Sequence, residues 1–121
     1  MTTNVDDVVR RYLAAFNETD AGARREALRA VFAADGGYTD PHVDLKGVEQ
    51  IDGFIAAVQS KYPGVVFSLA GAVDAHHDQA RFTWHAGPPA GAPLALGFDV
   101  AVFERGRIRQ VYGFVDQAPP G

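Results

Sequence analysis

Residues 94–116, LALGFDVAVFERGRIRQVYGFVD, carry the clearest structural signal in the chain, two apolar segments on either side of a short polar turn. The turn, residues 104–107, contains Gly106, and apolar alternating segments around such a turn indicate a β-hairpin. One acid, Asp99, lies in the middle of the first strand between Phe98 and Val100. A buried carboxylate costs several kcal/mol unless it is hydrogen-bonded, paired or protonated. The sequence therefore predicts a polar pocket or a hydrogen-bond network at Asp99.

Both faces of this first strand are apolar. Alternation places Asp99 on one face with Ala95, Gly97, Ala101 and Phe103, while the other face carries Leu94, Leu96, Phe98, Val100 and Val102. A sheet that buries only one face shows polar residues on the other. Because the rest of the chain offers no element to cover the second face, we expect a homodimer through the outer face of the sheet.

The composition is that of an ordinary globular protein. Of the 121 residues, 47% are hydrophobic and 21% are charged, which fits one domain over residues 1–121. The net charge of -4 and the dispersed basic residues predict neither a nucleic-acid partner nor a membrane partner. The absence of cysteine excludes disulfides, thiol catalysis and thiolate metal sites. No signal-peptide pattern and no membrane-spanning apolar run is present, so we expect a soluble cytoplasmic domain.

Apolar residues at helical spacing predict three helices before the hairpin. The first covers residues 4–17 with Asn4 as its N-cap. The second follows the N-cap Asp20, includes Phe32 in its buried stripe, and ends at residues 35–37, DGG. The third begins at Gly47 and ends at residues 62–64, YPG.

Strands are predicted between and after these helices. Residues 38–41, YTDP, form a short extended piece that holds Asp40 in β geometry, because the residue before a proline avoids the helical region. After residue 64 the apolar period changes from 3.6 to 2, with a turn at residues 76–78. Three helices followed by four consecutive strands predict an α+β domain, with the helices packed on one face of a curved antiparallel sheet.

This order of elements resembles the nuclear transport factor 2-like superfamily, which includes ketosteroid isomerases and polyketide cyclases of the SnoaL type. The resemblance covers residues 4–116 and lies in Arg11-Tyr12, Tyr38-Thr39-Asp40-Pro41, Gly47 to Phe54, Phe98-Asp99-Val100 and Gly106-Arg107-Ile108. It implies a cone-shaped fold in which three N-terminal helices pack on a curved, mixed or antiparallel sheet.

The ketosteroid isomerases provide the site residues that this resemblance implies. In that family an Asp before Pro is the general base, while a Tyr of the first helix and a protonated Asp of the sheet donate hydrogen bonds to the enolate oxygen. Asp40, Tyr12 and Asp99 occupy those three motif positions. The implied ligand contacts are Phe16, Phe54, Phe82, Trp84, Gly97, Val111, Gly113, Val115 and His42. The implied function is acid/base chemistry, without cofactor or metal, on a small apolar carbonyl compound.

Other interpretations of the same residues stay open. Asp99 and Tyr12 also fit a hydrogen-bonded pair in a non-catalytic core. Asp40 fits ordinary turn chemistry before a proline, and His42 fits a solvated loop histidine. These interpretations predict a module for hydrophobic-ligand binding or dimerisation. A further alternative is a cyclase-like or hydrolase-like enzyme in which Asp99 is the main acid/base and Asp40 is dispensable.

Overall fold

The helices begin at the capping residues that the sequence predicts. In the computed structural model, which describes residues 4–119, helix α1 (Val5–Asn17) follows Asn4, whose side chain accepts a hydrogen bond from the Asp7 N–H at 3.1 Å. Helix α2 (Ala21–Val31) follows Asp20, which caps it in the same way. Helix α3 (Val48–Lys61) follows Gly47, whose φ of 88° lies in the region that favours glycine.

The second helix ends earlier than predicted. It stops at Val31, and strand β1 (Phe32–Thr39) includes both Phe32 and the residues 35–37 that were expected to end the helix. The apolar spacing of α2 continues into Phe32, but the side chain is buried at the start of a strand. Gly36 allows β1 to approach its neighbour, because a Cβ there would lie 3.0 Å from the backbone oxygen of Ile108.

Within residues 4–119, six strands form one sheet in the order β2-β1-β6-β5-β4-β3. The bounds after β1 are β2 (Asp44–Lys46), β3 (Val66–His76), β4 (Gln79–Gly87), β5 (Ala95–Glu104) and β6 (Arg107–Gln117). Neighbouring strands are antiparallel except β1 and β6, which are parallel. The four consecutive strands and the hairpin are confirmed, whereas the short strand β2 was missed. The sheet is therefore mixed, because it contains one parallel pair among antiparallel pairs.

The three helices cover one face of this sheet, as predicted. Helix α1 packs on β3 and α2, and α3 packs on α2 and β1. Along β5 the residues sharing a face with Asp99 are buried, while those of the opposite face are half-buried. Leu94 precedes β5 and turns toward the helix side, so its assignment to the outer face was wrong.

A buried ion pair joins the second and third helices. The Arg24 Nε donates to Asp52 Oδ1 at 2.5 Å, and Arg24 also donates to the Glu18 backbone oxygen and the Gln59 side chain. Two desolvated charges with these extra hydrogen bonds fix one arrangement of α2 and α3. None of the three helices in residues 4–119 has the length and apolar character to cross a bilayer.

Candidate active site

A cavity of about 540 Å³ lies between helices α1 and α3 and the inner face of the sheet. Its wall consists of Tyr12, Leu13, Phe16, Tyr38, Asp40, His42, Phe54, Ala57, Val58, Lys61, Tyr62, Val65, Phe67, Trp84, Ala86, Leu94, Ala95, Asp99, Val115, Ala118 and Pro119. Most of these side chains are apolar, and the volume falls within the range of small-molecule sites.

Most of the residues proposed from the sequence line this cavity. Tyr12, Asp40 and Asp99 all contribute to its wall. So do the expected ligand contacts Phe16, Phe54, Trp84, Val115 and His42.

Four of the expected ligand contacts lie behind the wall instead. Val111 is fully buried, and Phe82 is covered by the ring of Tyr12, with ring centroids 5.8 Å apart. Gly97 lies beneath the indole of Trp84, and Gly113 lies beneath the two acids. Alternation along the strands placed all four on the inner face correctly. It could not show that larger side chains from neighbouring elements cover them.

Asp99 accepts hydrogen bonds at both oxygens. The Tyr12 hydroxyl donates to Oδ2 at 3.0 Å, and the Trp84 indole N–H donates to Oδ1 at 3.1 Å. Burial, with a smaller contribution from the charge of Asp40, raises the pKa of Asp99 from 3.8 to about 7, although the two hydrogen bonds lower it. Folding thus favours the protonated form, so the stability that Asp99 contributes falls as the pH rises from about 4 to about 7.

Two tyrosine hydroxyls accompany the acids. Burial, followed by the charge of Asp99, raises the pKa of Tyr12 and of Tyr38 well above the ordinary value of 10.0. Both hydroxyls therefore keep their protons at neutral pH and remain hydrogen-bond donors. Tyr38 was not proposed from the sequence, although its position two residues before Asp40 on the same strand face was a usable signal.

Asp40 follows the end of β1 and is held on three sides. The Tyr38 hydroxyl donates to Oδ2 at 2.8 Å. Oδ1 accepts the backbone N–H of His42 at 2.8 Å and that of Val43 at 3.1 Å. Asp40 therefore closes a turn, as the alternative interpretation from the sequence held, and at the same time forms part of the cavity wall.

Gly113 separates the two acids. A Cβ at this position would lie 3.0 Å from Asp99 Oδ1 and 3.3 Å from Asp40 Cβ. The missing side chain lets both carboxyl groups reach the same end of the cavity. Both acids and the two tyrosines that donate to them line the cavity that a ligand would occupy.

The outer part of the cavity was largely missed by the sequence interpretation. Ala57, Val58, Lys61 and Tyr62 come from the end of α3, and Ala118 and Pro119 follow β6. The α3 residues lie at helical spacing from Phe54, so this wall was partly foreseeable. Within residues 4–119, no three acid or histidine side chains are grouped closely enough to hold a metal ion.

The chain is similar in sequence and fold to known proteins. A family model described as a SnoaL-like domain matches residues 9–111. A solved structure of a candidate isomerase of the SnoaL-like family from Agrobacterium tumefaciens is 38% identical, with 91% of this chain and 95% of that chain covered and a TM-score of 0.86. No curated protein matches the chain.

Two more distant solved structures support the fold alone. A candidate polyketide cyclase from Sinorhizobium meliloti is 21% identical, with 88% of this chain and 93% of that chain covered and a TM-score of 0.69. A candidate ketosteroid isomerase from Kribbella flavida is 20% identical, with 96% and 82% covered and a TM-score of 0.70. The nuclear transport factor 2-like α+β fold expected from the sequence is thereby confirmed.

Proposed function

This chain belongs to the family of SnoaL-like domains, and on that premise we propose that it is a cofactor-free, isomerase-like or cyclase-like enzyme that performs acid/base chemistry on a small apolar carbonyl compound. The supporting observation is the convergence of two carboxyl groups and two tyrosine hydroxyls in one largely apolar cavity. Enzymes that move a proton between substrate atoms commonly use two acids whose environments give them different pKa values.

In the proposed reaction Asp40 removes a proton from the carbon next to the carbonyl group. The electron pair of the broken C–H bond forms a carbon–carbon double bond, and the π pair of the carbonyl group moves to its oxygen, which becomes an oxyanion. Tyr12 and Asp99 form the hydrogen-bonding group that stabilises this charge, and Asp40 then returns the proton to carbon. The loss of one such donor typically lowers the rate by two to three powers of ten.

Exchange of α-protons for solvent deuterium tests this proposal without knowledge of the true substrate. Cyclic enones of different sizes are incubated with the protein in D₂O, and the loss of proton signal is followed by NMR. We expect exchange above the buffer rate for compounds that fit the cavity. Exchange at the buffer rate for the whole panel would contradict the proposed chemistry.

A non-catalytic hydrophobic-ligand-binding or dimerisation module is the second candidate. The observation that favours it is that protein donors already occupy both acids, Tyr12 and Trp84 at Asp99, and Tyr38 with two backbone N–H groups at Asp40. On this alternative Asp99 matters for stability, and Asp40 is replaceable without loss of ligand affinity.

We further propose that the protein pairs with a second copy through the outer face of the sheet. The Phe98 and Phe114 rings stack there with centroids 4.9 Å apart, and Phe114 and Tyr112 are 49% and 48% exposed. On this face Leu96, Phe98, Val100 and Val102 of β5 and Tyr112 and Phe114 of β6 are uncharged, while Glu104 and Asp116 lie toward the strand ends. Two copies that meet over the uncharged residues bury no unpaired ion.

The substitution Phe114→Glu is expected to convert this dimer into monomers, because it places a desolvated charge in the contact between the two sheets. Sedimentation velocity on wild type and F114E measures the change. Val66→Glu is the matched control, since Val66 is also exposed but lies on β3, at the far edge of the sheet. A monomeric wild type, or F114E that still dimerises, would contradict the proposed pairing.

A further inference from the structure

The two neighbours of the Asp99 carboxyl group differ in what they can do. An indole N–H can only donate a hydrogen bond, whereas a tyrosine hydroxyl can donate or accept. Oδ1 accepts from the Trp84 nitrogen at 3.1 Å, which makes Oδ1 the less favourable oxygen for a proton. Oδ2 lies 3.0 Å from the Tyr12 oxygen and can carry one.

We propose that Trp84 directs the proton of Asp99 to Oδ2, so that Asp99 acts through Tyr12, and Tyr12 alone donates the hydrogen bond to the ligand oxygen. The inference rests on the proposed function and names Trp84 as a positioning residue for it. It also specifies the ligand group as an acceptor without a proton of its own, such as a carbonyl or phenolate oxygen.

The Tyr12 hydroxyl has a single proton and can donate it to only one acceptor at a time. When Asp99 is ionised, that proton points to Oδ2, and Tyr12 presents only lone pairs to the cavity. An acceptor oxygen of a ligand then finds no donor. When Asp99 is protonated at Oδ2, it donates to the Tyr12 oxygen, and the Tyr12 proton turns into the cavity. One proton taken up by Asp99 thus converts Tyr12 into a ligand donor.

The position of Trp84 is itself built into the sheet. Trp84 pairs with Gly97 across β4 and β5, and a Cβ at Gly97 would lie 2.7 Å from Cζ2 of the indole. The ring of Phe67 packs on the other side, with centroids 5.8 Å apart. Glycine at this position therefore lets the indole lie on the strand with its N–H at Asp99.

The surroundings of Asp99 keep both of its protonation states accessible near neutral pH. Tyr12 of α1, Tyr38 of β1 and Asp40 after β1 are the titratable groups that act on it or share its network, and on β6 the residue paired with Asp99 is Gly113. His42 and Lys61 lie elsewhere on the wall of the same cavity. Burial holds the pKa of Asp99 at about 7, and no salt-bridge partner of Asp99 is found among residues 4–119.

Trp84 is the only tryptophan in the chain, which permits a test without any ligand. We expect its fluorescence to change in a single step near pH 7, and we expect Asp99→Asn to abolish that step. His42→Gln and His85→Gln are controls that should keep it, because histidine also titrates in this range. A step that survives in D99N would show that Trp84 does not report on Asp99, and would overturn the inference.

Carbon-13 NMR of aspartate-labelled protein extends this test to Trp84→Phe. The indole N–H stabilises the ionised carboxylate, so its removal is expected to shift the Asp99 titration upward by about one pH unit. An unchanged titration in a folded W84F protein would overturn the role of Trp84. The fluorescence titration and the NMR titration both test the inference even if the protein is not an enzyme.

Binding of pentafluorophenolate then separates Tyr12 from Asp99 as the ligand donor. Wild-type affinity is expected to fall tenfold per pH unit above the Asp99 titration, because binding requires proton uptake. The Tyr12→Phe variant is expected to bind at least a hundredfold more weakly, and its affinity is expected not to show this pH dependence. Y12F that binds with the wild-type pH profile would show that Asp99 donates directly. No binding to wild type would contradict the proposed function and the donor role of Tyr12. The position of the proton on Asp99 would then be tested by the fluorescence and NMR titrations alone.

Discussion

Replacement of Asp40 by asparagine is expected to lower the rate of α-proton exchange by about two to four powers of ten, the range typical for loss of a general base. Asparagine has nearly the same size, and its oxygen still accepts the backbone N–H groups of His42 and Val43. The Tyr38 hydroxyl can turn and accept from the new amide group. The turn is thus retained while the basic oxygen is lost, and NMR in D₂O measures the rate.

Asp44→Asn is the matched control for this variant. Asp44 begins strand β2, is exposed, and accepts a hydrogen bond from the Thr39 hydroxyl at 2.8 Å, but it does not line the cavity. Its exchange rate should stay within about twofold of wild type. Wild-type exchange in D40N would mean that Asp40 only closes the turn. Thermal denaturation of both variants separates loss of the base from loss of the fold.

A methyl group introduced as Gly113→Ala is expected to lower the exchange rate about a hundredfold. The new Cβ would lie 3.0 Å from Asp99 Oδ1 and 3.3 Å from Asp40 Cβ, so at least one acid must move. Strand β6 cannot yield easily, because it is paired with β1 on one side and β5 on the other. A displacement of about 1 Å at reacting groups is enough for this effect.

Gly53→Ala provides the comparison for the cost of adding a methyl group elsewhere. Gly53 lies within α3, and a Cβ there meets no atom within 4 Å. We expect unchanged exchange and a gain of about 1 kcal/mol in the free energy of unfolding, since alanine is the better helix former. If a folded G113A protein exchanged as fast as G53A, the close spacing of the two acids would have no part in the reaction.

The sequence was sufficient for features decided by local chemistry. Asn4 and Asp20 are side-chain caps, and Gly47 supplies a left-handed φ, so the starts of all three helices were predictable. Alternation along β5 likewise predicted that Asp99 faces the helices. Both rules depend on near neighbours in the chain.

Features decided by distant neighbours were not predictable in this way. The parallel pairing of β1 with β6 joins segments separated by α3 and four strands, and Phe32 takes part in this pairing instead of continuing the helix. Phe82 and Val111 face inward as expected, but side chains from other elements cover them. The hydrogen bond from Trp84 to Asp99 depends on the register of β4 against β5 and on the glycine at position 97. The apolar periodicity of the sequence does not predict this register.

The most direct test of the account is the affinity of a series of phenols of equal shape and increasing acidity, measured with wild type and Asp99→Asn at one pH. Phenolates resemble the oxyanion that the cavity is proposed to stabilise. We expect wild-type affinity to rise steadily with phenol acidity, and we expect this dependence to change in D99N. No binding across the series, with D99N merely less stable than wild type, would contradict an oxyanion site and favour the non-catalytic module.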